Sequence, residues 1–140
     1  MSTKAHSTFA IKSWDEKPYD EFDDGRKLTK AHVNFTYSGD MLGEGTIEYV
    51  MAYAPDGSAQ FVGMERIVGR VNGHVGSFVI QHAGSYSGKT TEGTWEIVKG
   101  SGTGDLEGIS GSGNSSSKGE DDTHIFTLNY DLAQEPAPAA

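Results

Sequence analysis

Apolar and polar residues alternate along most of this chain, and short groups of Gly, Asn, Asp and Pro interrupt the alternation. No useful window carries apolar residues at the three-to-four-residue spacing of an amphipathic helix. The two-residue period predicts strands with one buried face, and the interruptions predict turns. Strands are expected near His6–Glu16, Leu28–Gly39, Thr46–Ala54, Ser58–Val71, His74–Tyr86, Lys89–Val98, Asp105–Asn114 and Thr123–Leu132. The fold class is all-β, with little or no helix. Eight strands joined by short loops favour a closed antiparallel β-barrel, which has no exposed edge, over a two-sheet sandwich. Residues 1–132 would form this single domain. The tail "AQEPAPAA" is rich in Pro and Ala, so residues 133–140 are expected to be disordered.

Two turns set the register. Asn72-Gly73 suits a two-residue hairpin turn in which both residues need positive φ, which places Val71 opposite His74 and Gly63 opposite His82. "APDGS" suits a type I turn closed by a bulge at Gly57, which places Ala54 opposite Ser58 and Tyr49 opposite Gly63. One face then carries Ile47, Tyr49, Met51, Tyr53, Phe61, Gly63, Glu65, Ile67, Phe78, Ile80, His82 and Tyr86. A turn at Ser87-Gly88 adds Gly93, Trp95 and Ile97 to it. This face is rich in large rings and poor in charge, so it is the interior. The other face, with Val50, Val62, Met64 and Val68 among Glu48, Arg66 and Arg70, is too apolar for a fully solvated surface. A partner copy is expected to cover part of it, making the protein a homo-oligomer through the outer barrel face. Glu48 and Arg66 are diagonal neighbours there and are expected to form a weak surface ion pair.

The candidate chemistry lies around Gly63. Glu65, His82 and Tyr49 surround this small residue in the inferred lattice and are the candidate catalytic residues, in an acid–base role. Tyr53, Phe61, Gly63, Phe78, Ile80 and Trp95 would line the cavity above them. The plainer alternative is that Glu65 and His82 satisfy each other structurally, because an unpaired buried carboxylate is costly.

Composition narrows the classes. The formal net charge is −9, which argues against nucleic acid and anionic membrane surfaces as partners. There is no cysteine, and no stretch approaches the length of a transmembrane helix. The N-terminus lacks a signal-peptide core, so the expected location is cytoplasmic. His6, His32, His74 and His124 show no metal-ligand spacing, and "SWDEKPYDEFDDG" fails the calcium-loop pattern. That stretch is expected to be a solvated acidic loop, and no metal or cofactor is expected. "GSGTGDLEGISGSGNSSSKG" has neither a following helix nor a Gly-Lys-Ser/Thr, so it is not a phosphate loop. Its glycines are expected where the barrel wall bulges or is closely approached, with only Ser115–Gly119 left as loop.

The motifs "SWDEKPYDE", "YSGDMLGEGTIEYVMAY", "FVGMERIVG", "GSFVIQHAG" and "GSGTGDLEGISGSG" together resemble those of a small bacterial family of unknown function. The fold of that family resembles the allene oxide cyclase barrel, and the similarity spans almost the whole chain. It implies an eight-stranded antiparallel β-barrel with a central cavity, in an oligomer. Relatives of that barrel bind apolar substrates and steer cyclisation or coupling by cavity shape, without metal or organic cofactor. The resemblance carries over no catalytic residue. Three functions stay open: a cofactor-independent isomerase or cyclase acting on a small apolar molecule, a lipocalin-like carrier, and a structural oligomer with a solid interior.

Overall fold

The computed structural model describes residues 3–87, 90–118 and 124–132. Nine strands follow one another: β1 (Thr3–Glu21), β2 (Lys27–Gly39), β3 (Met41–Tyr53), β4 (Ala59–Val71), β5 (His74–Ser87), β6 (Thr90–Ile97), β7 (Thr103–Gly104), β8 (Ser110–Lys118) and β9 (His124–Asp131). Among the described residues there is no helix, and none therefore that could cross a membrane. Apart from the two-residue β7, which pairs only with β5, each strand pairs antiparallel with the next, and β9 returns to pair with β1. Eight strands thus close into a ring, the expected barrel.

The alternation that predicts the strands also sorts them. In β2, Ala31, Val33, Phe35 and Tyr37 are buried while Lys30, His32 and Thr36 are exposed. The register of β3, β4 and β5 is the expected one, with Tyr49 opposite Gly63 and Gly63 opposite His82. Asn72 and Gly73 have φ of 47° and 87°, and Gly57 has φ of 90°, as their turns require. Ser87 faces Thr90, two residues later than a Ser87-Gly88 turn would give. An even shift keeps every side chain on its face, so Trp95 and Ile97 point inward as expected. Gly88 and the tail 133–140 lie outside the described residues.

Two stretches differ from the sequence reading. Asp105–Asn114 is not one strand: residues 105–108 form a turn, and β8 runs on through Ser115 to Lys118, where a loop was expected. Leu106 and Ile109 explain the change. Both are buried, but three residues apart they could not share one face of a strand. Turn hydrogen bonds from Leu106 N–H to the Thr103 carbonyl and from Ile109 N–H to the Leu106 carbonyl let both point inward. The acidic stretch is a turn only at residues 22–25, since β1 continues to Glu21 and pairs with β2 from Ser7 onward. A break in the pairing between Ile11 and Ser13 inserts one residue and switches the inward parity. Phe9 and Ile11 line the interior before the break, and Trp14 after it.

The interior therefore has two ends. Met41, Ile67, Val71, Phe78, Leu106 and Ile109 are buried at the end bearing the Asn72-Gly73 turn. The opposite end, beside the turn at residues 54–58, is open. On the outer face Leu42, Val50, Val62, Met64, Val68 and Val75 are exposed. Glu48 meets His32 Nδ1 at 2.5 Å there, so its partner is across β2–β3 and not the expected Arg66.

Candidate functional site

A carboxylate at the centre of a barrel needs donors, and Glu65 has them on both oxygens. It is fully buried on β4. Oε1 lies 2.6 Å from His82 Nε2 on the neighbouring β5. Oε2 accepts a short hydrogen bond from the Tyr37 hydroxyl on β2. Tyr37 reaches Glu65 across the intervening strand β3, and it can do so because β3 carries Gly45 at the crossing. A Cβ at Gly45 would collide with both the Glu65 carboxylate and the Tyr37 ring.

The pair expected around Gly63 is thus present, with one correction. The phenol on the carboxylate is Tyr37, not Tyr49. Tyr49 lies against Gly63, with its ring 6.1 Å from that of His82 and 5.3 Å from that of Phe61. Burial, with the Glu65 carboxylate adding to it, raises the pKa of both tyrosines above the ordinary phenol value.

Above this floor a cavity of about 430 Å³ opens toward the residue 54–58 end. Tyr37, Tyr49, Tyr53, Phe61, His82, Trp95 and Phe126 are among its lining. Tyr53, Phe61 and Trp95 therefore stand where the sequence places them. Phe78 and Ile80 do not line it, since both are packed into the closed half. Gly63 does not either, because the Tyr49 ring covers it. A larger groove of about 900 Å³ lies along Val50, Gln60, Val62, Ala83 and Thr94 and shares Met51, Phe61 and Gly93 with the cavity, but not Tyr37, Tyr49, His82 or Trp95.

The Trp95 indole forms one wall. It stacks on Phe126 with ring centroids 4.2 Å apart and planes 9° from parallel. Trp95 is on β6 and Phe126 on β9, so the indole crosses β8, and it does so over Gly113. A Cβ at Gly113 would meet Trp95 Nε1 and the Thr127 carbonyl. The same Nε1 is buried with no hydrogen-bond partner among the described residues.

A second carboxylate stands at the mouth. Glu16 Oε2 accepts from Thr29 Oγ1 and from the Tyr53 hydroxyl, each at 2.6 Å, and Oε1 accepts from Trp14 Nε1 at 3.0 Å. Partial burial works against its charge, but these three bonds and nearby Lys27 outweigh it and hold the pKa below the ordinary 4.5. The sequence places Glu16 at the end of the expected strand His6–Glu16 and within the acidic stretch, and gives it no role in the site.

Tyr37 gives the site a pH signature. Its folded-state pKa is raised, so the folded protein keeps a phenol proton that the unfolded chain releases near pH 10. That contribution is complete below the unfolded value and is lost as pH rises toward the folded one. The unfolding free energy should therefore fall above about pH 10, by up to about 1.4 kcal/mol per pH unit for one such tyrosine. Tyr37→Phe should flatten that slope; an equal slope in the variant would show that Tyr37 does not set it.

Fold and site together define an antiparallel β-barrel closed at one end, with an aromatic cavity above a buried carboxylate–imidazole–phenol group. The chain belongs to the DUF3224 family, described as a protein of unknown function, which matches residues 5–130. The chain is similar to a DUF3224 protein of unknown function from Shewanella oneidensis MR-1, whose crystal structure is solved. The two are 26% identical, with a TM-score of 0.78, over 96% of this chain and 100% of that one. No curated protein matches the chain.

Proposed function

We propose that the protein binds a small, largely apolar molecule inside the barrel. The observation that carries this reading is the 430 Å³ cavity itself, walled mostly by rings and reaching a few polar groups. Its size falls within the range of ordinary small-molecule sites, as does its mix of apolar walls and sparse polar groups. Of the polar groups at the floor, His82, Tyr37 and Tyr49 line the cavity, while Glu65 stands behind them. Glu65 thus acts as a positioning residue: it fixes the imidazole and the Tyr37 ring.

That arrangement favours a second reading, cofactor-independent isomerase or cyclase chemistry. An imidazole backed by a carboxylate can exchange a proton with a bound molecule, and the walls can hold that molecule in a reactive conformer.

Binding is measured with the neutral fluorophore N-phenyl-1-naphthylamine. Its emission should rise and the Trp14 and Trp95 emission should fall as it enters. Thr91 also lines the cavity, and Thr91→Trp should weaken binding at least about tenfold by filling the space. No binding by the unaltered protein, or unchanged binding by the variant, would remove the cavity from consideration.

A further inference from the structure

We infer that the cavity selects an organic cation: an apolar molecule carrying an ammonium or similar group, held against the ring faces near the mouth. This rests on the binding reading above and specifies the ligand's charge.

Neither of the two carboxylates that serve the cavity lines it; each is bonded to its rings from behind. Glu16 takes the N–H of Trp14 and the O–H of Tyr53, and Glu65 takes the O–H of Tyr37. With those donors engaged by the carboxylates, Trp14, Tyr53 and Tyr37 line the cavity with their rings. A ring face is the negative part of the aromatic quadrupole and attracts a cation. A carboxylate bonded at the ring's polar end adds negative potential in the same direction. No Lys or Arg lines the cavity among the described residues, so an anionic ligand would meet only the neutral donors of the lining, such as the Trp95 N–H, and no fixed positive charge. The net charge of −9 favours entry of cations over anions.

Tyr53 already shows the preference. Lys27 places its ammonium 4.7 Å from the centre of that ring. Lys27 is also the charge that would oppose a second cation at the mouth, so it and Glu16 should act in opposite directions.

Three probes with one naphthalene body separate the terms: (2-naphthylmethyl)trimethylammonium, 2-naphthylmethanol and 2-naphthoate, titrated by quenching of tryptophan emission. The cation should bind about tenfold tighter than the alcohol, and the carboxylate more weakly than either. Glu16→Gln should cut the cation-to-alcohol affinity ratio several-fold, and Lys27→Gln should raise it. If the alcohol binds and the cation binds no tighter, the cation inference is overturned while the cavity reading stands. If none of the three binds, both fall. A preference that is unmoved by Glu16→Gln and by Lys27→Gln would overturn the part assigned to the mouth.

Discussion

Glu65→Ala should lower the unfolding free energy by about 3–5 kcal/mol, the usual cost of removing one partner from a buried charged group. The loss comes from what is left behind. The Tyr37 hydroxyl and His82 Nε2 would both face apolar surroundings without the oxygen that now accepts or shares their protons. A stability of about 5–15 kcal/mol is typical of a domain, so the variant should unfold at markedly lower denaturant. The combined variant Glu65→Leu, Tyr37→Phe, His82→Phe separates causes. If unpaired polar groups are the source, this apolar set should recover much of the loss despite lacking all three bonds. Equilibrium guanidinium denaturation reads both. A Glu65→Ala midpoint close to that of the unaltered protein would contradict the account of Glu65 as the centre of the floor.

Gly113→Ala should cost about 1–3 kcal/mol or more, the range for forcing atoms into a packed interior. A single methyl would meet the Thr127 carbonyl, which the β8–β9 ladder holds in place, and the edge of the Trp95 indole. The indole is the element able to move, and moving it breaks the stack on Phe126. The near-UV circular dichroism of the aromatic wall should therefore weaken, and affinity for N-phenyl-1-naphthylamine should fall with it. Ser at the same position should behave like Ala, because the collision is with Cβ. An unchanged near-UV spectrum would show that the indole does not depend on Gly113.

These two sites were unequally legible in the sequence. Glu65 and His82 could be placed together because two turns, Asn72-Gly73 and the one at residues 54–58, fix three consecutive strands by counting. Tyr37 lies one strand further on, beyond any turn of fixed length. The alternation of Ala31, Val33, Phe35 and Tyr37 does mark its face, and from that signal Tyr37 could have been added to the interior. What the alternation lacks is distance: a contact from β2 to β4 exists only because Gly45 leaves room between them. Trp14 and Glu16 were hidden for a different reason. An inserted residue near Lys12 switches the parity of β1, and counting from Phe9 then turns both side chains outward. Leu106 and Ile109 sit in a turn, where the two-residue period of a strand no longer says which side chains face inward. In the glycine-rich run Gly113 lies where the wall is closely approached, as expected, but on a strand that starts and ends later than Asp105–Asn114.

The plug formed by Leu106 and Ile109 makes the barrel a bottle rather than a tube. Anything that enters must leave by the same neck, past Trp14 and Tyr53, so two molecules cannot pass each other. Whichever end of a molecule goes in first is the end that meets His82, and the trailing end stays with the rings at the mouth. Orientation is thus decided on the way in, before any contact at the floor is made.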